Sequence, residues 1–141
     1  MDLFAGSGGV GIEALSRGAV SLDCVEQDAK ALTCIRTNLK TVGFDQKAKV
    51  WPMSVERALQ QFSTQGRKFD MIFMDPPYNQ DYEKHVFEIL QNASYVTEDT
   101  LIVVETSLET TLDYIENLGF YIEKEKKYKT NKHFFVKRKT N

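Results

Sequence analysis

Four consecutive residues, Asp75, Pro76, Pro77 and Tyr78, follow the apolar run Met71 to Met74 and combine an acid, two rigid residues and an aromatic. Consecutive prolines fix φ and remove N–H donors, so the turn presents carbonyl acceptors without reorganisation. Such a set suits an amine conjugated to an aromatic ring. The lone pair of that amine is delocalised, and acceptors on its N–H hydrogens, here the Asp75 carboxylate and the Pro76 carbonyl, localise it toward an electrophile. Tyr78 adds a π face, on which a base drawn out of its stack recovers about 1 to 3 kcal/mol and which favours positive charge developing on nitrogen. A plain turn after a strand uses the same residue types and stays open as a reading.

The second constellation lies at the amino end. Asp2-Leu3-Phe4-Ala5-Gly6-Ser7-Gly8-Gly9-Val10-Gly11 brings backbone without Cβ atoms close to whatever it binds. Gly6, Gly8 and Gly11 satisfy G-x-G-x-x-G, and Glu26, 20 residues past Gly6, sits where a carboxylate accepts from two ribose hydroxyls. A nicotinamide dinucleotide fits that spacing. Asp2, four positions before the first glycine, instead suits the cationic amino group and sulfonium of S-adenosylmethionine, and repels a pyrophosphate. Ser54 can meet an adenine edge after the third strand, cap the following helix, or both. For the loop and for Glu26, the bland readings are a tight turn without a ligand and a solvated carboxylate.

Elements that position these residues alternate as short apolar runs and helical patterns, the mark of a parallel sheet wrapped by helices on both faces. Strands are expected at Asp2 to Phe4, Leu22 to Glu26, Ala48 to Pro52, Phe69 to Asp75 and Leu101 to Glu105. Helices are expected at Val10 to Ser16, at Ala29 to Val42 with Leu32, Ile35, Leu39 and Val42 on one face, at Ser54 to Phe62, at Tyr82 to Asn92, and at Glu109 to Leu118. The end changes character. Phe120 to Tyr128 and His133 to Lys139 alternate apolar and charged residues around Thr130 and Asn131, which predicts an antiparallel hairpin added to the parallel sheet.

At 141 residues with 42% hydrophobic content, the chain has the size of one domain. No apolar run approaches the ~20 residues of a membrane span, and the first residues lack the pattern of a signal peptide, so a soluble cytoplasmic protein is expected. Cys24 and Cys34 lack metal or disulfide spacing and are expected as buried thiols. His85 and His133 stand outside any catalytic constellation, and no metal cluster is expected. The net charge of −2 hides a division. Residues 1 to 119 carry 10 basic and 18 acidic side chains, whereas residues 120 to 141 carry 8 and 2. Lys126, Lys127, Lys129 and Lys132, with Lys124, Lys137, Arg138 and Lys139, crowd the hairpin among Phe120, Tyr121, Tyr128, Phe134 and Phe135. They are read either as phosphate contacts or as edge-strand lysines that prevent sheet-to-sheet pairing.

Asp2 to Ala19, Val25-Glu26-Gln27-Asp28 and Asp75 to Tyr78 together resemble the bacterial RsmD-like family of small-subunit ribosomal RNA guanine-N2 methyltransferases. The run Glu13 to Ala19 is the most specific part, since D-P-P-Y is shared with other amino-methylating enzymes of DNA and RNA. The resemblance implies a Rossmann-like class I methyltransferase with a mostly parallel seven-stranded sheet. It also implies S-adenosylmethionine bound by Asp2, Phe4, Ala5, Gly6, Ser7, Gly8, Gly11, Glu26, Gln27, Ser54 and Asp75. By the same resemblance Asp75, Pro76, Pro77 and Tyr78 are expected to hold the target guanine, with ribosomal RNA or the small subunit as partner; a monomer is expected, though the sequence does not reveal the oligomeric state. The family tends to carry an acid where Ser54 stands. It also begins with a basic hairpin and a helix before the glycine motif, so a missing amino-terminal segment is expected here. Alternatives are a DNA adenine-N6 methyltransferase, for which no sizeable target-recognition region is present, and a catalytically silent cofactor-binding module in ribosome assembly.

Overall fold

A computed structural model of the chain describes residues 1–77 and 80–140. They form two compact units, Met1–Ala58 and Leu59–Asn141. In the first, β1 (Leu22–Glu26) and β2 (Ala48–Pro52) pair in parallel from Leu22↔Ala48 to Glu26↔Pro52. The right-handed logic of a parallel pair demands a crossover, and α2 (Ala29–Thr41) supplies it. Asp28 caps α2 by accepting from the Ala31 amide at 3.0 Å. Leu32, Ile35 and Leu39 turn inward, as their spacing predicts, whereas Val42 lies past the helix end and is exposed. Ile35 and Leu39 join Ala5, Leu15, Leu22 and Cys24 in one core cluster. The buried polar position Asp23 accepts from the Trp51 indole at 2.9 Å. Of the two cysteines only Cys24 is buried, with burial pushing its thiol up to about 12. Cys34 is exposed, against expectation, because it faces away from the Leu32–Ile35–Leu39 stripe.

The first expected strand, Asp2 to Phe4, is reduced to one parallel bridge between Asp2 and Cys24. The chain turns at Leu3 and Phe4 into the glycine loop, leaving the Asp2 and Ala5 amides bonded to Asp23 and Val25 carbonyls. α1 (Gly9–Ser16) follows.

In the second unit the strand order is β3 (Met71–Met74), β4 (Leu101–Thr106), β6 (Lys132–Arg138), β5 (Phe120–Lys127). β3 and β4 are parallel, while β6 runs antiparallel to both β4 and β5, which gives the expected hairpin. The sheets are thus smaller than the seven-stranded arrangement expected, with six strands among the described residues. Ile72, Met74, Ile102, Val104, Phe134 and Val136 line a fully buried face. α3 (Val55–Phe62) carries the boundary between the units, and its Phe62 packs edge-on against Phe69 and Tyr95. α4 (Tyr82–Leu90) is two residues shorter than its pattern suggests.

The helix expected at Glu109 to Leu118 is only a 3-10 turn, Ile115–Leu118. Side chains compete for its backbone. Ser107 and Thr110 hydroxyls bond to each other at 2.8 Å and Thr111 donates to Asp113 at 3.1 Å, local contacts that favour turns over a helix interior. Among the described residues no helix is long and apolar enough to cross a membrane.

Candidate active site

Between the Asp2 bridge and α1, the loop is held from three sides. The Gly6 amide donates to Glu26 Oε1 at 2.8 Å, so the carboxylate at the end of β1 fixes the loop it was expected to serve. Glu26 Oε2 accepts from the Gln27 and Asp28 amides at 3.0 and 2.9 Å. A carboxylate offers about four lone-pair sites, so these three bonds leave about one acceptor site on Glu26. Gly8 adopts φ +85°, and a Cβ there would lie 2.6 Å from Ile35 Cγ1. Only glycine satisfies both conditions. Gly11 packs as tightly, its missing Cβ falling 2.5 Å from Leu22 Cδ2. Gly6, by contrast, faces open space.

Asp2 is the electrostatic feature of this unit. Its side chain is buried and its Oδ1 has no hydrogen-bond partner. Burial pushes its carboxyl up to about 6; the amino-terminal charge and the Phe4 amide oppose the rise, and nearby Glu26 adds to it. Two acids beside a glycine loop, one with an orphan oxygen, fit a cationic ligand and disfavour a pyrophosphate.

Phe4 lies in a first turn with Leu3 and Ser7 in a second with Gly6, with Ala5 between them. Ala5 is fixed by its bond to Val25, and the Ser7 carbonyl accepts from Asn38 Nδ2 at 3.0 Å. Asn38 was not anticipated. Its position one helical turn past Ile35, on the edge of the apolar stripe of α2, is the signal that marks it. Ser54 serves as the cap of α3, its Oγ accepting from the Arg57 amide at 3.3 Å.

In the second unit, Asp75 and Pro77 are exposed and Pro76 is buried at the carboxyl end of β3. The chain re-enters α4 through Asp81 at φ +55°, a left-handed conformation that Asp tolerates better than most residues. Tyr78 lies outside the described residues.

The hairpin cations divide. Lys126, Lys127 and Lys129 are exposed, with Lys124 beside them. Lys132 is instead buried, 3.2 Å from Glu125 and over the Phe134 ring, so its charge is held within the sheet and the expected phosphate contact does not suit it. Arg138 donates to the carbonyls of Leu90, Gln91, Ala93 and Val96, closing the carboxyl end of α4. Lys137 pairs with Glu123 at 3.7 Å. Among the described residues no cluster of His, Cys, Asp and Glu could hold a metal ion.

The parallel pairs, crossover helix and glycine loop with a strand-end acid are those of the class I methyltransferase fold, and solved structures share it. A conserved hypothetical protein of Streptococcus pyogenes superposes with a TM-score of 0.86 at 32% identity, covering 98% of this chain and 84% of that one. The profile of the family described as conserved hypothetical protein 95 matches residues 1–137, and the chain belongs to that family, the RsmD-like group. The YlbH protein of Bacillus subtilis is 40% identical over 112 residues, 79% of this chain and 61% of that protein. Ribosomal RNA small subunit methyltransferase D of Haemophilus influenzae is 33% identical over 125 residues, 88% of this chain and 64% of that protein. The chain thus spans less than two thirds of the length of these two relatives.

Proposed function

We propose that this chain transfers a methyl group from S-adenosylmethionine to the exocyclic N2 amine of a guanine in small-subunit ribosomal RNA. The observation that carries the reading is the Asp75-Pro76-Pro77 turn at the carboxyl end of a parallel strand, where open α/β sheets present ligands. Family membership and the name of the Haemophilus relative support ribosomal RNA as the substrate class. In this reading the protein works as a cytoplasmic monomer.

When bound, S-adenosylmethionine supplies an electrophilic methyl group on a sulfonium. Asp2 offers its unpartnered oxygen to the cofactor's ammonium. Glu26 uses its remaining acceptor site on a ribose hydroxyl, while Gly6, Ser7 and Gly8 supply close backbone, Phe4, Ala5 and Gln27 shape the rim, and Ser54 meets the adenine edge. Gly11 keeps α1 tight on β1. The Asp75 carboxylate and the Pro76 carbonyl accept the two N–H hydrogens of the target amine, Pro77 stiffens the turn, and Tyr78 stacks the base. The proton leaves the methylated amine to Asp75 or to solvent. Lys126, Lys127 and Lys129 take phosphates.

Asp75→Ala separates the roles. Transfer is expected to fall by about 100- to 1,000-fold, with the dissociation constant for S-adenosylmethionine, read by calorimetry, within about twofold of wild type. Transfer at the wild-type rate contradicts the mechanism.

A further inference from the structure

The hairpin carries a feature that edge protection by lysines does not explain. In β6, Lys132, Phe134 and Val136 point into the buried face, so His133, Phe135 and Lys137 point to the opposite one and are half-buried. Directly across from them in β5 stand Lys126 and Lys124, paired with His133 and Phe135. From Tyr121 onward β5 is exposed on both faces. Just past its end Tyr128 is 42% exposed, with Lys126, Lys127 and Lys129 as its sequence neighbours.

That ring is braced. The His133 imidazole meets it edge-on with centroids 4.9 Å apart, and His133 Nε2 is anchored 2.8 Å from Glu105 Oε1 on β4. Phe73 and Phe135 flank the imidazole at 6.5 and 6.4 Å. Lys126 Nζ lies 5.3 Å from the Tyr128 centroid and Lys124 Nζ 5.9 Å from that of Phe135. An exposed cation–π contact is weaker than the stacking of a base on an aromatic ring, so a base displaces Lys126 from the ring and leaves its ammonium free for a phosphate. Residues 120 to 141 carry 8 basic and 2 acidic side chains on an otherwise acidic chain, the charge that a polyanion complements.

We infer that Tyr128, braced by the His133–Glu105 pair, is a stacking platform for an unpaired nucleotide of the RNA, with Lys124 and Lys126 on the flanking phosphates. Single-stranded RNA is favoured over a duplex, whose base faces are closed by their own stack. The inference rests on the reading of RNA as the partner and names how this chain grips it beyond the target base.

The test uses the full chain and a single-stranded oligoribonucleotide bearing 2-aminopurine, titrated at low salt. Wild type quenches the probe on binding; Tyr128→Phe is expected to bind within about twofold and to quench equally. Tyr128→Ala and Tyr128→Leu are expected to bind about 5- to 100-fold more weakly and to lose the quench, with Tyr128→Leu keeping the volume should the alanine variant fold poorly. If both bind and quench as wild type does while Lys124→Gln and Lys126→Gln weaken binding, the platform is refuted and the RNA reading stands. If wild type fails to bind the oligonucleotide, the RNA reading falls and takes the platform with it.

Discussion

A buried carboxylate with an orphan oxygen costs stability in the absence of a partner, and Asp2 is such a group. Its folded-state pKa of about 6 lies above the ordinary 3.8, so its contribution to stability is fully present below pH 3.8 and is lost as the pH rises through about 6. Asp2→Asn, which cannot ionise, is therefore expected to be more stable than wild type above pH 6, by about 3 kcal/mol. The difference should vanish toward pH 3.8 in urea denaturation read across pH. The same variant should bind S-adenosylmethionine more weakly at pH 7.5, since the amide has no charge to offer the ammonium. Equal stability of the two proteins at all pH values would show that Asp2 is not strained by burial.

At the scale of elements, two contacts decide how the sites are held. Gly8→Ala would drive a Cβ into Ile35 and force a left-handed residue, an expected loss of about 2 to 4 kcal/mol. Arg138→Met strips the carboxyl end of α4 of its donor and is expected to cost about 2 to 4 kcal/mol in thermal or urea unfolding without changing RNA affinity. A variant that keeps its stability but loses RNA binding would return Arg138 to the phosphate contacts. Much of this was legible in the sequence. Periodicity placed β1, β2, α1, α2, α3 and the hairpin to within a residue or two, because apolar spacing and caps such as Asp28 and Ser54 act locally. The glycine loop and Glu26 were legible as spacing, and the bond from the Gly6 amide to Glu26 joins them. What was not legible was set either by local side-chain bonds or by partners distant in sequence. The Glu109 to Leu118 helix gave way to side-chain bonds of Ser107, Thr110 and Thr111, Lys132 and Arg138 were drawn inward by Glu125 and by α4 carbonyls, and Asn38 reached a loop 31 residues away.

For the whole molecule, the sorted cations turn a diffuse charge asymmetry into a prediction about binding. Replacing Lys126, Lys127 and Lys129 by Gln should each lower the salt slope of RNA affinity by about 1, whereas Lys132→Gln should cost stability through its lost pair with Glu125. A salt slope unchanged by all three would assign those lysines to edge protection alone. Each site residue bears on which atom receives the methyl group. The most direct measurement incubates the protein with methyl-labelled S-adenosylmethionine and, separately, unmodified small ribosomal subunits, free ribosomal RNA and duplex DNA, and identifies the labelled nucleoside by mass spectrometry. N2-methylguanosine in the ribosomal RNA is the expected product; N6-methyladenine in DNA, or cofactor binding with no label in any acceptor, would contradict methylation of guanine N2.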